Sequence, residues 1–208
     1  MKQSPFRFAR AASLSLSLAA LSIMLSLGAC GGGAPKPFPV PAAEADLPPA
    51  NTAAIRRVVL VHPPSKEKVD VIYWHDGAYD AHAMAEVAHI LRDRHTGEAH
   101  DIDPALMDFI SGVILRSGLP STTQVDILSG YRSPETNAAL VKVNRNAARE
   151  SFHMQGRAAD IRIPALKGDA ITEIAKTMQR GGAAFYDGSG HTHVDTGPVR
   201  TWATYSTR

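Results

Sequence analysis

Two short segments of this 208-residue chain concentrate groups that bind metal ions or move protons. They are Ser151-Phe152-His153-Met154-Gln155-Gly156-Arg157-Ala158-Ala159-Asp160 and His191-Thr192-His193-Val194-Asp195. With one cysteine in the chain, an intrachain disulfide and a thiolate-only zinc site are both excluded, so a metal here must use imidazole and carboxylate. A catalytic zinc takes three protein ligands and keeps a fourth position for water, whereas a structural zinc fills all four with protein. His153, Asp160 and His193 can supply three. Zinc lowers the pKa of its water and polarises a carbonyl, and a group two residues along the same strand can pass the water's proton to a leaving amine. Asp195 and His191 are the candidates for that role.

Geometry restricts the elements that carry these groups. A continuous helix through residues 153–160 would separate His153 from Asp160 by ~10 Å along its axis, too far for both to reach one ion at ~2 Å. A loop that turns back at Gly156 and runs into a β-type stretch, Ala159-Asp160-Ile161-Arg162-Ile163, lets the two converge. The second segment alternates: as a strand it puts His191, His193 and Asp195 on one face and Thr192, Val194 and Thr196 on the other.

The rest of the chain supplies a scaffold. Residues 55–62 and 69–74 read as antiparallel strands around a turn at 63–68. Apolar residues recur at helical spacing over 80–93 (Met84, Val87, Ala88, Leu91) and over 103–117 (Leu106, Phe109, Ile110, Val113, Ile114), the second with Asp103 as N-cap before Pro104. Residues 124–128 predict a strand, 134–144 a helix, 157–163 a strand closed by Pro164, and 169–179 a helix stopped by Gly181-Gly182. Strands at 183–186 and 191–196 follow, around Asp187-Gly188-Ser189-Gly190. The order predicts an α+β domain with a small, largely antiparallel sheet flanked by helices.

The amino terminus reads as an address. Lys2, Arg7 and Arg10 are the only charges in residues 1–30, and the uncharged run 11–27 that follows them has secretory signal architecture. It ends in Leu27-Gly28-Ala29-Cys30, which resembles the lipobox of bacterial lipoproteins and implies lipidation of Cys30. The mature chain would then be anchored to a membrane without spanning it. Gly31 stands where an aspartate would signal inner-membrane retention in enteric bacteria, which points to a periplasmic protein held at the outer membrane. Residues 31–54, with three consecutive glycines and six prolines, cannot bury a core and read as a tether, which leaves 55–208 as the folded domain. Removing the three N-terminal cations from 22 basic residues leaves 19 against 20 acidic ones. A near-neutral body with no Lys/Arg block excludes nucleic acid as a partner.

The cluster at 153–160, the phrase Ser129-Gly130-Tyr131-Arg132-Ser133-Pro134-Glu135-Thr136-Asn137, and the runs Gly181-Gly182 to Phe185-Tyr186 and His193 to Trp202 together resemble one family. Leu91-Arg92-Asp93 and Ile102-Asp103-Pro104 extend the resemblance over residues ~55–203. The family is murein endopeptidase K of Gram-negative bacteria, the YcbK-like zinc enzymes related to D-Ala-D-Ala carboxypeptidases, lysostaphin and the hedgehog amino-terminal domain. The resemblance implies a hedgehog/D-Ala-D-Ala-peptidase-like fold and His153, Asp160 and His193 as Zn2+ ligands. It also implies peptidoglycan as substrate, cut at amide bonds of its peptide cross-links, and substrate contact by Arg132. Departures are visible: Ala183-Ala184 stand where relatives often have Val-Gly, and His191 makes a His-x-His pair of the lysostaphin type. Gly190 replaces the glutamate that dipeptidase-type relatives carry three residues before the last ligand.

Several residues have two readings. Asp195 either takes a proton or accepts a hydrogen bond from a ligand imidazole. Arg132 either holds a substrate carboxylate with its planar fork or pairs structurally, and Ser151 either contacts substrate or fixes its loop. Tyr131 and Trp202 read as core or rim aromatics, and His62, His75, His82, His89, His95 and His100 as surface or satisfied histidines. The expected function is a zinc-dependent murein endopeptidase. The alternatives are a D,D- or L,D-carboxypeptidase trimming stem peptides and a non-catalytic wall-binding lipoprotein.

Overall fold

The opening hairpin forms where β-branched side chains cluster. In the computed structural model, which describes residues 51–144 and 147–204, strand β1 (Arg56–His62) pairs antiparallel with β2 (Glu67–His75). The expected signal segment 1–30 with Cys30, and the tether up to residue 50, lie outside the described residues. A two-residue strand β3 (Ala78–Tyr79) leads to helix α1 (Ala81–Ile90), whose N-cap Asp80 accepts a hydrogen bond from the Ala83 amide. Helix α2 (Pro104–Arg116) starts as its sequence predicts, with Asp103 accepting from the Ala105 amide and Pro104 in the first turn. Then come β4 (Gln124–Ser129), α3 (Pro134–Val143), a 3₁₀ turn (Phe152–Gln155), β5 (Ala158–Arg162) and α4 (Gly168–Met178). Strands β6 (Gly182–Tyr186), β7 (His191–Asp195) and β8 (Arg200–Thr204) close the order.

All the strands among the described residues join one eight-stranded sheet, ordered β3-β2-β1-β4-β5-β7-β6-β8. The α+β class holds, and the sheet is largely antiparallel: only β1–β4 and β6–β8 pair parallel. It is wider than the sequence pattern predicts because β3 and β8 join its edges. A two-residue strand has no periodicity to read, and β8 is recruited by parallel pairing with a strand that is not its chain neighbour.

Alternation along the central strands decides which face is covered. Ala159, Ile161 and Val194 enter the core with Leu106, Ile110, Ile171 and Ala175, where α2 and α4 pack. Full burial of each such Leu or Ile contributes roughly 1.5–3 kcal/mol. Asp160, His191 and His193 therefore project from the other face of β5 and β7.

The segment just before residue 55, the expected start of the folded domain, is tied to the body. Asn51 is buried, and its side-chain amide donates to Ser111 Oγ on α2 at 2.9 Å. A polar side chain that finds its partner 60 residues away carries no local signal of order. Beside it, Asp108 accepts from Arg56 Nη1 at 2.7 Å and from the hydroxyls of Tyr73 and Tyr79 at 2.9 and 2.8 Å. This network fastens the first strand and the segment before it to α2.

Candidate metal centre

The turn that carries His153 is built by its own sequence. Ser151 Oγ accepts from the His153 amide at 3.3 Å and caps the 3₁₀ turn. Gly156 ends the turn at φ +66°, and a Cβ there would collide with the Asp101 carbonyl, so only glycine fits. The chain then enters β5, where Asp160 lies opposite His193 of β7 in register. Residues opposite one another share a face, so the carboxylate and imidazole meet.

Three atoms converge: His153 Nε2, Asp160 Oδ1 and His193 Nδ1. Their separations are 3.2 Å between the two imidazoles, 3.0 Å from His193 to Asp160 and 3.4 Å from His153 to Asp160. Among the described residues, this is the one group of His, Cys, Asp or Glu close enough to hold a metal ion. Ligands at ~2.0–2.1 Å from a tetrahedral ion stand ~3.3 Å apart, so the triangle has the right edge length.

The far sides of both rings show which nitrogens are free. His153 Nδ1 lies 2.7 Å from the Gly130 carbonyl, which can only accept, and so it carries the proton. His193 Nε2 lies 2.9 Å from Asp195 Oδ2 and likewise donates. The neutral imidazoles then present lone pairs at Nε2 and Nδ1, facing a carboxylate oxygen. With both rings neutral, three acceptors converge with no donor between them, an arrangement that a cation completes.

Electrostatics agree with that reading. Burial works against the His193 cation, but the hydrogen bonds to Asp160 and Asp195 outweigh it and raise its pKa to about 9. Burial likewise opposes ionisation of Asp160, yet the imidazoles of His153 and His193 hold it well below the usual carboxylate range. The site thus attracts positive charge, which a proton supplies when no metal does.

Asp195 and His191 occupy different situations. Asp195 has no exposed surface. Oδ2 accepts from His193 Nε2 and from Arg200 Nη2 at 2.6 Å, while Oδ1 accepts from Arg200 Nη1 and from the Gly182 and Gly197 amides. Burial alone would favour its neutral form, but these donors lower its pKa to about 2. His191 is half-buried and stacks on Tyr186, with ring centroids 4.7 Å apart. Its Nδ1 lies 2.6 Å from Ser189 Oγ and its Nε2 lies 3.8 Å from Asp160 Oδ1, at the edge of the triangle. Burial holds this imidazole below the usual histidine range, with Asp160 opposing the shift.

Arg132 sits on the β4 side. Its guanidinium donates to Asn137 Oδ1 at 3.1 Å and Ser129 Oγ at 3.4 Å, and among the described residues it makes no ion pair. Burial disfavours its charge, while Asp160 and Asp93 support it through space. Tyr131 is buried and donates to Glu98, and Trp202 stands beside His193 with centroids 5.6 Å apart.

Sequence reasoning passed over three groups. Asp93, buried, accepts from the Ser133 amide at 2.8 Å and so ties the Arg132 segment to the loop after α1. Gly130 supplies the carbonyl under His153, and Arg200 holds Asp195. Each lies inside a phrase that the sequence singles out, and none shows its role until its partner is placed.

An α+β sheet with two imidazoles and a carboxylate meeting on the face opposite α2 and α4 is the architecture of D-Ala-D-Ala-peptidase-like proteins. Within that class the chain belongs to the peptidoglycan L,D-endopeptidase MepK family, whose model matches residues 50–202. The probable peptidoglycan L,D-endopeptidase MepK of Haemophilus influenzae is 34% identical over 119 residues, a stretch covering 57% of this chain and 63% of that protein. The matched stretch therefore falls short of two thirds of that relative's length. The peptidoglycan L,D-endopeptidase MepK of Escherichia coli K12 is 32% identical over 136 residues, 65% of this chain and 74% of that protein. The Shigella flexneri protein of the same name matches equally.

Proposed function

We propose that this protein is a zinc-dependent murein endopeptidase, hydrolysing amide bonds in peptidoglycan cross-links of the L,D type for which its relatives are named. The observation that carries the reading is the triangle of His153 Nε2, Asp160 Oδ1 and His193 Nδ1, with the opposite nitrogen of each ring committed as a donor. These three atoms would hold Zn2+. Bound there, zinc supplies a Lewis acid for the scissile carbonyl and lowers the pKa of a coordinated water.

The chain's own groups do the rest. Of the two proton-carrier candidates, His191 has its Nε2 turned toward the site and its Nδ1 fixed by Ser189, so it can accept a proton and return it to the leaving amine. Asp195 has both oxygens engaged and instead sets the angle and tautomer of His193. Arg132, which among the described residues makes no ion pair, fits a carboxylate of the substrate peptide. The N-terminal reading, a lipid anchor on Cys30 and a tether that holds the enzyme in the periplasm at the outer membrane, rests on residues 1–54 as sequence.

The test is the muropeptide profile of sacculi digested with and without a chelator. An endopeptidase removes cross-linked dimers, and a chelator preserves them. Loss of terminal residues from monomers with dimers intact would replace this reading with a carboxypeptidase, and an unchanged profile would leave a wall-binding lipoprotein. For the anchor, Cys30→Ser should move the protein from the membrane to the soluble fraction.

A further inference from the structure

We propose that Arg200 is a positioning residue for the metal centre, a single guanidinium that fixes two of the three ligand side chains at once. The inference rests on the metal reading above and adds the element that makes the site rigid. Arg200 opens β8, and its fork closes on the fully buried Asp195 in two parallel bonds, Nη1 to Oδ1 at 3.0 Å and Nη2 to Oδ2 at 2.6 Å. Asp195 Oδ2 in turn accepts from His193 Nε2. A bidentate pair fixes the plane of the carboxylate as well as its distance, so the direction in which His193 aims Nδ1 is set from β8.

The faces of the same guanidinium reach the second ligand. Its carbon lies 5.2 Å from the centre of the Phe152 ring and 5.0 Å from that of Trp202. Phe152 is the residue before His153 on the 3₁₀ turn. Contacts of cations with an aromatic face at this range, from Arg200 and from Arg157 at 5.0 Å on the same ring, favour one placement of the ring, and hence of the turn that carries His153.

Two glycines keep room for this packing. A Cβ on Gly182 would stand 2.7 Å from Arg200 Nη1, and one on Gly197 would stand 2.5 Å from the Phe152 ring. Neither glycine has a positive φ, so what demands their smallness is the close approach of neighbours. Lysine cannot replace this arrangement, because it has neither the fork nor the planar face.

The experiment is zinc affinity of the metal-free full-length chain, measured against a chromophoric chelator, with the visible spectrum of the cobalt-substituted protein as a second readout of ligand geometry. Arg200→Ala should weaken zinc binding about 10–100-fold, the usual effect of removing a group that orients a ligand. Arg200→Lys should recover little of that loss, and both should shift the cobalt spectrum. Arg57→Ala, at the exposed pair with Asp70 on the hairpin, should change neither. Wild-type affinity and spectrum in Arg200→Ala, even with a lowered melting temperature, would reduce Arg200 to a prop for β8 and overturn the inference while the metal reading stands. A wild-type chain that binds no zinc would instead overturn the metal reading, and this inference with it. If Arg200→Ala does not fold, Arg200→Lys decides: unchanged affinity overturns the proposal, and weakened affinity supports it.

Discussion

The imidazole of His153 reaches back across 23 residues of chain to donate from Nδ1 to the carbonyl of Gly130 at 2.7 Å. That bond fixes the tautomer that leaves Nε2 free, and it makes a backbone carbonyl in the loop after β4 part of the metal centre. Gly130 holds its place because its amide plane lies against Leu91: an added Cβ would run into the Leu91 carbonyl, and the neighbouring Tyr131 amide donates to that same oxygen at 2.6 Å.

Gly130→Ala should therefore act on both stability and zinc. Overpacking a site closed by backbone costs about 1–3 kcal/mol. The shifted carbonyl should also loosen His153, lowering zinc affinity by about tenfold. Thermal melts and chelator competition check the two effects separately, and a variant with unaltered zinc affinity would show that the carbonyl tolerates displacement.

Zinc uptake should depend on pH through His193. In the metal-free protein the bonds to Asp160 and Asp195 overcome burial and raise its pKa to about 9. Zinc must displace that proton, so apparent affinity should climb about tenfold per pH unit below that value and level off above it. The sign for stability is opposite. A raised folded pKa stabilises the metal-free fold fully below the unfolded value of 6.5, and this contribution is lost as pH rises toward about 9. A pH-independent chelator competition between those limits would contradict the assignment.

The two neighbours of His193 should separate by phenotype. His191→Ala should keep zinc and lose turnover by ~10²–10⁴-fold, as expected when a proton carrier is removed. Asp195→Asn should weaken zinc by ~10–100-fold, because the amide presents a poorer acceptor to His193 and a poorer partner to Arg200. The reverse pattern, with zinc intact and turnover lost only in the Asp195 variant, would exchange the two roles.

Asp108→Ala should unfold the domain more easily without touching the centre. It strands Arg56, buried on β1, and removes the acceptor for the Tyr73 and Tyr79 hydroxyls. Breaking one side of a buried pair costs about 3–5 kcal/mol, or roughly 10 °C in melting temperature for a domain of this size. Zinc affinity of the folded protein should be unchanged, since β4 and β5 lie between β1 and β7.

Much of the scaffold is legible in the sequence because it is local. Asp103 followed by Pro104 starts α2 whatever surrounds it, and Gly156 turns the chain because no side chain tolerates its position. The alternation of His191, His193 and Asp195 places them on one side of a strand from the two-residue period alone. The same spacing leaves Asp195 with two readings, since a carboxylate two residues from an imidazole can serve as a base or as a hydrogen-bond partner. Arg200 engages both oxygens of Asp195, and its approach depends on β8 lying parallel to β6, a pairing with no sequence signature. Asn51 reads as tether for the same reason: its partner, Ser111, belongs to a distant helix.

The sequence by itself determined which residues are available for metal chemistry, which elements carry them and that a turn at Gly156 lets the first two converge. Those properties depend on neighbours a few residues apart, where backbone sterics and periodicity act. Only the tertiary structure decided which nitrogen of each imidazole faces the other ligands, which carboxylate Arg200 clamps and that the Arg132 guanidinium meets Asn137 and Ser129. These depend on groups from β4, β5, β7 and β8 that meet across the sheet, and distance along the chain says nothing about distance across it.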